Sequence, residues 1–205
     1  MNTPTTIGAI ILAAGESRRM GTQKLLLPYA GRQVIQHIAD AALKCRIDQT
    51  VVVTGYQPER IHQTLNGFEV TFAQNDNYPE GMLTSIRTGL AALPENLEAF
   101  MVVLGDQPSL TPAIIDILID GFRASEKGIV IPWVNDDSGH PIIIDATYRQ
   151  EVMTKFDDTG LRGLIYGRPE EVHRLPVTDP GVLRDMDTPE DYERELRALE
   201  EQLDQ

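Results

Sequence analysis

Short, uninterrupted runs of apolar residues recur along the chain, separated by longer amphipathic or polar stretches. Each run is too short for a helix. A continuous apolar run is typical of a strand that is covered on both faces, as in a parallel sheet, whereas an alternating run is not. The sequence therefore predicts buried strands over Ile7–Leu12, Val51–Val53, Phe100–Leu104, Ile129–Ile131 and Ile142–Ile144.

Apolar residues at helical spacing lie between these runs and predict helices. One apolar face extends from Met82 through Ile86 and Leu90 to Leu93. Another covers Ile114–Phe122. Because such a face must be buried against another element, we expect both helices to cover the sheet.

Two Thr-Pro pairs mark the starts of helices. Thr111 and Thr188 each occupy an N-cap position before a proline at the first helical position. Asp191 lies three residues after Thr188, a capping-box-like arrangement with Asp in place of Glu or Gln. The second pair therefore predicts a final helix over roughly residues 189–202.

Strands that alternate with helices predict an α/β fold, a three-layer sandwich with a mostly parallel, mixed sheet. A chain of 205 residues suits a single domain, here residues 1–205. Ligands bind such sheets at the carboxyl ends of the strands, so the residues just after each apolar run are the candidates for chemistry. Residues 133–141 are rich in turn-forming residues and are expected to form a loop.

The composition limits the partners. The chain has 31 acidic and 18 basic residues and a formal net charge of −13, so we expect neither nucleic acid nor a membrane as a partner. Residues 1–17 have no basic segment and only a short apolar run, which indicates neither a signal peptide nor a spanning helix. Cys45 is the single cysteine, and a cytoplasmic location is the simplest interpretation.

The residues after the first predicted strand have the properties of an anion-binding loop. Small residues at positions 13–15 let backbone amides approach a ligand, and Gly21 permits a positive φ. Backbone donors and nearby cations after a strand suit a triphosphate. The candidate nucleotide-binding residues of this loop are Leu12, Ala13, Ala14, Gly15, Ser17, Arg18 and Lys24, and its candidate catalytic cations are Arg19 and Lys24.

Two better-known phosphate-binding motifs are excluded. A Walker A loop has four residues between its glycines, followed by Lys-Ser or Lys-Thr. Here five residues separate Gly15 from Gly21, and Thr-Gln precedes Lys24. The dinucleotide fingerprint G-x-G-x-x-G is also missing, which disfavours an NAD-type oxidoreductase.

A candidate metal ligand follows the strand Phe100–Leu104. Asp106 lies there in a Gly-Asp-Gln-Pro sequence. An aspartate at the carboxyl end of a strand points into the ligand crevice, and Mg²⁺ prefers such hard oxygen ligands while it bridges to substrate phosphates. Asp106 is therefore a candidate magnesium ligand and catalytic residue.

A second acidic cluster precedes the final helix. Asp185 and Asp187 lie two residues apart, where we expect a short strand to enter the helix, so both side chains would face the same side. Glu190 and Asp191 are better explained as favourable charges in the first turn of the helix.

Residues 12–24 carry a specific resemblance. They match the pattern L-A-A-G-x-S-x-R-M-G-x-x-K, and on this basis the chain resembles the MobA/MocA-like family of nucleotidyltransferases, which activate the molybdenum cofactor. The same loop is similar to the opening of sugar-phosphate and methylerythritol-phosphate cytidylyltransferases. The resemblance extends over about residues 10–192 and implies a Rossmann-like fold of the nucleotide-diphospho-sugar transferase type.

The resemblance also implies a metal site. The family has G-D-x-P and D-x-D-T-P-E-D segments at places that correspond to Asp106 and to residues 185–191. It follows from the resemblance that Asp106 coordinates Mg²⁺ and that Asp185 or Asp187, or both, complete the site.

Two further segments resemble the family. Residues 75–90 are similar to its N-x-x-x-x-x-G-M-x-x-S-x-R-x-G-L stretch, which opens a helix beside the nucleotide, so the resemblance implies that Ser85 and Arg87 bind the nucleotide. The Gly-His-Pro sequence around His140 is similar to a family motif on the acceptor side, which implies that His140 contacts the acceptor.

The expected reaction is magnesium-dependent transfer of CMP from CTP to the phosphate of a molybdopterin cofactor, with release of pyrophosphate and a molybdoenzyme as the client. Lys24 is expected to face solvent when no ligand is bound. Two alternatives stay open: a sugar or alditol phosphate as the acceptor, and a non-catalytic, cofactor-binding accessory protein for a molybdoenzyme. The acidic motifs and Lys24 argue against the accessory protein, since a pure binder needs no metal site.

The expected choice of base depends on Ala14. In the family resembled, Leu-Ala-Ala-Gly accompanies cytidylyl transfer and Leu-Ala-Gly-Gly accompanies guanylyl transfer. The methyl group of Ala14 would narrow the space along the edge of the base, which excludes a larger purine. The sequence therefore predicts a preference for CTP.

Overall fold

A central mixed sheet organises the computed structural model, which describes residues 6–203. Within this range ten strands are present: β1 (Ile7–Ala13), β2 (Pro28–Tyr29), β3 (Arg32–Gln33), β4 (Gln49–Thr54), β5 (Thr71–Gln74), β6 (Ala99–Leu104), β7 (Ile129–Val134), β8 (Asp137–Ser138), β9 (Ile142–Asp145) and β10 (Val172–Pro176). β2 and β3 form a small hairpin of their own, and the other eight strands form the sheet.

The sheet is mostly parallel, as the sequence predicts. Its order is β10-β7-β9-β6-β1-β4-β5, with β8 paired to β7. β9 runs antiparallel to both of its neighbours, β6 and β7, and β8 runs antiparallel to β7. The pairs that β1 forms with β4 and β6 are parallel, so the carboxyl ends of these three central strands lie at one edge of the sheet.

Helices cover both faces of the sheet and complete the expected three layers. Among the described residues they are α1 (Val34–Leu43), α2 (Pro58–Thr64), α3 (Met82–Ala92), α4 (Pro112–Ala124), α5 (Arg149–Thr154), α6 (Leu161–Gly167) and α7 (Pro189–Leu203). Apolar residues of α1, α2, α4 and α7 pack on one face. Those of α3, α5 and α6 pack on the other. The strand β1 supplies Ile11 to the first core and Ile10 to the second, which is why its sequence is apolar throughout.

The predicted helix starts are confirmed. Thr111 Oγ1 accepts a hydrogen bond from the amide of Ile114 at 3.4 Å. At α7, the amide of Asp191 donates to Thr188 Oγ1, and the amide of Thr188 donates back to the Asp191 carboxylate. Burial tends to raise the pKa of Asp191, but hydrogen bonds from Arg194 and Thr188 bring it down to about 2. The capping box therefore works with Asp in place of Glu.

Two local predictions are wrong. Residues 133–141 form a hairpin with β7 and β8 instead of a plain loop, since Asn135 and Asp136 adopt positive φ values of 49° and 70° at the tip. No strand leads directly into α7 in the described structure either. A 3₁₀ turn, Pro180–Leu183, follows β10. In the segment after it, the Met186 amide donates a single backbone hydrogen bond to the Asp106 carbonyl, and the segment does not pair as a β-strand.

No helix of residues 6–203 is long and apolar enough to cross a membrane. The expectation about the N-terminus lies in part outside the described residues, because positions 1–5 are not among them.

Candidate active site

The loop after β1 and the acidic turn after β6 are held side by side by backbone contact. The amide of Gly105 donates to the carbonyl of Leu12 at 3.1 Å. A Cβ atom on Gly105 would lie only 2.5 Å from that oxygen, so the close approach requires glycine. As a result Asp106, the next residue, projects from the same edge of the sheet as the anion-binding loop.

The anion-binding loop folds back on itself through a tight turn. Ser17 and Gly21 both adopt positive φ values, 56° and 70°. The carbonyl of Ser17 accepts hydrogen bonds from the amides of Met20 and Gly21, and its hydroxyl oxygen accepts one from the amide of Lys24 at 3.2 Å. The turn therefore returns the chain to the sheet edge and aims Lys24 at the carboxylates.

Lys24 lies between two carboxylates that come from distant parts of the chain. Its ammonium group donates to Asp106 and, at 2.7 Å, to Asp187. Arg19 adds a second cation, at 2.6 Å from Asp187. The expectation that Lys24 faces solvent is wrong, since its side chain is only 14% exposed. The two carboxylates draw it inward, because Asp106 would otherwise be left partly buried without a counter-charge.

The charges in this cluster are strongly coupled. Burial tends to lower the pKa of Lys24, but the charge of Asp106 and the hydrogen bonds to both carboxylates outweigh it, so the pKa is raised. The hydrogen bond from Lys24 lowers the pKa of Asp187. Burial, together with the charges of Asp106 and Asp187, raises the pKa of Asp185. Three carboxylates therefore share one small region, and Lys24 neutralises part of their charge.

The carboxylates have the donor chemistry that a divalent ion needs. Among the described residues no group of three or more His, Cys, Asp or Glu side chains is arranged as a metal cage. Mg²⁺ does not require one, because it keeps several waters and binds through one or two carboxylates and the substrate phosphates. Asp106 and Asp187 already converge on one cation, the Lys24 ammonium, so they fit a magnesium–phosphate complex.

A cavity of about 240 Å³ opens beside this cluster. The Ser85 hydroxyl lies in its wall and accepts a hydrogen bond of 2.9 Å from the side-chain amide of the buried Asn75. Ala14 and Tyr78 form other parts of the wall. The complete lining is Leu12, Ala14, Gly15, Ser17, Lys24, Leu25, Tyr78, Gly81, Met82, Ser85, Leu104, Gly105 and Asp106.

Two further cavities adjoin the first. One, of about 360 Å³, is bordered by the cations Arg18, Arg19 and Lys24 and by Asp187, and it suits a polyphosphate. The other, of about 590 Å³, shares Met82 with the first cavity.

Met82 is 55% exposed, so the expectation that it belongs to the buried helix face is wrong. It begins α3 beside open space, where its side chain faces the two cavities.

The largest of these cavities combines aromatic and cationic groups. The Arg174 guanidinium lies 5.0 Å from the centre of the Trp133 ring. Arg162 and His140 also line this cavity. Burial, with a smaller contribution from the Arg162 charge, lowers the pKa of His140 to about 4, so its ring is neutral at physiological pH.

Not every predicted residue joins the site. The Arg87 guanidinium donates to the carbonyls of Val152 and Lys155 and to the Asp157 carboxylate, so it clamps the end of α5 and does not line the cavity. By contrast, Arg18 does border the second cavity, although its side chain is 80% exposed and pairs with the neighbouring Glu16.

Ala13 also differs from the rest of its loop. Its methyl group is buried in the core on the α1 and α4 face, so only its backbone lies near the loop.

Sequence reasoning missed several lining residues. Tyr78 borders both the first cavity and the polyphosphate-sized one. It lies inside the motif of residues 75–90, but at a position that the motif leaves open. Trp133, Arg162 and Arg174 carried no motif at all.

An α/β fold with an anion-binding loop and converging carboxylates at one edge of its sheet is the architecture of a nucleotidyltransferase. The chain belongs to the MobA-like NTP transferase domain family, whose model matches residues 9–173.

Curated relatives with full-length matches differ in activity. The molybdenum cofactor cytidylyltransferase of Escherichia coli K12 is 28% identical over 190 residues, which cover 92% of this chain and 94% of that protein. The nicotine blue oxidoreductase of Paenarthrobacter nicotinovorans is 29% identical over 198 residues, or 93% and 96% of the two chains.

Solved structures agree with the fold. Rv0371c from Mycobacterium tuberculosis H37Rv superposes with a TM-score of 0.84 at 29% identity and covers 95% of this chain and 100% of its own. A manganese complex of the same protein superposes with a TM-score of 0.77 at 28% identity, with 95% and 100% coverage. The expected fold class is confirmed.

Proposed function

We propose that this protein transfers CMP from CTP to the phosphate of a molybdopterin-type acceptor and releases pyrophosphate. One observation carries the proposal. The Lys24 ammonium and the carboxylates of Asp106 and Asp187 meet at the sheet edge where the nucleotide-sized cavity and the cation-bordered cavity adjoin. Activation of a triphosphate needs cations for its charge and carboxylates for a magnesium ion in one place.

The nucleotide is assigned to the first two cavities. The base and ribose would occupy the cavity that Ala14 and Ser85 line, and the triphosphate would extend toward Arg18, Arg19 and Lys24. Backbone amides of the loop at Gly15 would supply further donors to the phosphates.

The chemistry is an in-line displacement at the α-phosphorus. A phosphate oxygen of the acceptor forms the new P–O bond as the bond to the β-phosphate breaks, and the electron pair leaves with pyrophosphate. An acceptor phosphate is already ionised near neutral pH, so no side chain has to act as a general base. Lys24 and Arg19 would stabilise the growing charge on the pyrophosphate, and the raised pKa of Lys24 keeps it cationic for this role.

Asp106 and Asp187, with Asp185 nearby, are the residues that would hold the magnesium ion, which would supply Lewis acidity toward the phosphates. In the unliganded chain Lys24 hydrogen-bonds one oxygen of each carboxylate, so it competes with the ion for these ligands. The triphosphate offers its ammonium group new acceptors. Nucleotide binding and the opening of the metal site are therefore expected to occur together.

The acceptor is assigned to the third cavity. It is larger than the nucleotide cavity, it joins it at Met82, and it presents Trp133 with Arg174 stacked over it. A planar, anionic molecule such as a pterin phosphate can stack on the aromatic ring and pair with the guanidinium. His140 would offer a neutral ring nitrogen to such an acceptor. After the reaction, we expect the product, the molybdopterin cofactor joined to CMP, to pass to a client molybdoenzyme in the cytoplasm.

A second function is supported by one comparison. The chain is about as similar in identity and coverage to an oxidoreductase as it is to a cytidylyltransferase. Overall sequence similarity therefore does not separate the two reactions. The Lys24, Asp106 and Asp187 cluster favours transfer, because hydride transfer needs neither a metal site nor a triphosphate cradle.

The test is a matrix of substrates. Each of the four NTPs is incubated with Mg²⁺ and with molybdopterin, a sugar phosphate or an alditol phosphate, and pyrophosphate release is measured. The proposal expects release with CTP and molybdopterin above all other pairs. Oxidation of NAD(P)H by a dye acceptor without pyrophosphate release would favour the oxidoreductase, and binding of molybdopterin without turnover would favour the accessory protein.

A further inference from the structure

A fully buried carboxylate lies behind the acidic cluster and has no part in the proposed reaction. Glu195 of α7 is 0% exposed. Its nearest cationic groups are Arg184 Nε at 3.4 Å and Arg194 Nε at 3.7 Å. Burial raises the pKa of Glu195, and the charges of Arg184 and Arg194 oppose this. Within residues 6–203 neither of its oxygens has a hydrogen-bond partner of good geometry.

Glu195 borders the junction between the two segments that carry the proposed metal ligands. One segment is the turn at residues 106–109, and the other is residues 181–187. The side-chain amide of Gln107 donates to the Val182 carbonyl at 3.1 Å, and the Met186 amide donates to the Asp106 carbonyl at 3.0 Å.

Glu195 interacts with a residue of each segment. It forms an ion pair with Arg184 of the second segment and lies near the hydroxyl of Ser109 of the first. The approach at this point is tight, because a Cβ atom on Gly181 would lie 2.8 Å from Ser109 Oγ. No other buried carboxylate of the described residues occupies such a position.

We propose that Glu195 is a positioning residue that fixes the distance between Asp106 and Asp187 by holding Arg184 and Ser109 from behind. The inference rests on the proposed function for its link to the metal. Residues that orient metal ligands from behind typically change metal affinity by about 10–100-fold when they are replaced.

Stability alone does not explain a buried charge here. Replacing a whole buried ion pair by neutral groups of similar volume is often neutral or stabilising, whereas removing one partner is costly when the other charge stays buried. Arg184 and Arg194 are 22% and 44% exposed, so both can turn to water if the carboxylate is neutralised. We therefore expect the Glu195→Gln variant to fold and to keep its melting temperature. The two segments, however, should no longer be held in a fixed relative position.

The experiment compares Glu195→Gln with Glu200→Gln, an exposed acid on the same helix. Two readouts are used: the Kd of Mn²⁺ by electron paramagnetic resonance in the presence of CTP, and amide hydrogen exchange of the whole chain. We expect Glu195→Gln to weaken Mn²⁺ binding by about tenfold or more. Exchange should become faster at residues 105–109 and 181–187, and Glu200→Gln should match the wild type in both readouts.

The double variant Glu195→Gln with Asp187→Asn is the second comparison. If Glu195 acts by placing Asp187, its replacement should change the Kd of Mn²⁺ much less in this background. An equal fold-change in both backgrounds would overturn the inference. So would an unchanged Kd in the single variant, or faster exchange throughout the chain with a lowered melting temperature, which marks a purely structural role.

Failure of the proposed function gives a different result. If the wild type binds no Mn²⁺ with CTP, the metal-dependent function is refuted, and hydrogen exchange alone decides the inference. Faster exchange confined to the two segments would then still show that Glu195 holds them together, and unchanged exchange would refute it.

Discussion

The ammonium group of Lys24 donates a 2.7 Å hydrogen bond to Asp187, a residue 163 positions further along the chain. Together with its bond to Asp106, this contact ties the loop after β1, the turn after β6 and the segment before α7 into one cluster. The first two segments meet because β1 and β6 are parallel neighbours, and the third joins them through the hydrogen bond from the Met186 amide to the Asp106 carbonyl. Lys24 therefore both completes the unliganded cluster and is the proposed partner of the triphosphate.

Asp106→Asn should fold normally and lower kcat by about 10²–10³, because it removes a charge that acts on the transition state. Steady-state kinetics and a magnesium titration measure the effect. Asp120→Asn is the matched control, since Asp120 lies on α4, is exposed and pairs with Arg46, outside the site. Near-normal turnover with an unchanged magnesium requirement would show that Asp106 is not a metal ligand.

Lys24→Ala should weaken CTP binding and also cost stability. Two carboxylates lose their shared cation, and hydrogen bonds to charged groups are worth about 1.5–3 kcal/mol each. Because a divalent ion can replace the lost charge, Mg²⁺ should raise the melting temperature of the variant more than that of the wild type. Calorimetry with CTP and thermal unfolding with and without Mg²⁺ test both points.

Lys44→Ala provides the control for Lys24, because Lys44 is exposed and pairs only with Asp40 among the contacts described. If Lys24→Ala bound CTP as tightly as this control, Lys24 would be an internal structural charge with no role toward the triphosphate.

Ala14→Gly should reduce the preference for CTP over GTP. Ala14 is 5% exposed and lies in the wall of the first cavity, where we expect its methyl group to narrow the space available to a purine. The ratio of kcat/KM for CTP and GTP is compared between wild type and variant. A wild-type preference for GTP or ATP would refute the assignment of CTP, and a CTP preference that Ala14→Gly leaves unchanged would refute the steric explanation.

The free energy of unfolding should decrease as the pH is lowered from about 6.5 to 4, because of His140. Its pKa is lowered to about 4 in the folded chain, against about 6.5 when unfolded, so the unfolded chain binds the extra proton in this window. Above about pH 6.5 the protonation of His140 costs no stability. Below it, the free energy of unfolding declines by up to about 1.4 kcal/mol per pH unit. Urea unfolding at several pH values should show a shallower decline for His140→Asn.

An NMR titration of the His140 ring gives the direct check. A transition near pH 6.5 in the folded protein would contradict the burial argument.

The sequence predicts the centre of the fold better than its edges. β1, β4 and β6 have both faces covered, so each reads as a continuous apolar run. The edge strand β5 was missed because its residues Thr71–Gln74 are only partly buried and do not form such a run. The other edge strand, β10 (Val172–Pro176), has only its first residue buried and was missed for the same reason.

The start of helix α1 is hard to recognise from the sequence. Gln33 caps it through a reciprocal arrangement with Gln36, and glutamine is not among the residues that favour an N-cap. The direction in which long side chains point could not be predicted from the sequence either. Arg87 and Lys24 both belong to motif-like segments, but Arg87 turns to the end of α5 and Lys24 to the carboxylates. Those directions depend on tertiary contacts that a local pattern does not contain.

The transfer of label from CTP tests the central claim most directly. CTP labelled at its α-phosphate is incubated with Mg²⁺, molybdopterin and either the wild type or Asp106→Asn, and the products are separated. The account predicts that the wild type moves the label into the molybdopterin product with one pyrophosphate released per label, and that Asp106→Asn does so at least about a hundredfold more slowly. Label that stays entirely in CTP with the wild type, or that reaches the product equally fast with both proteins, would contradict it.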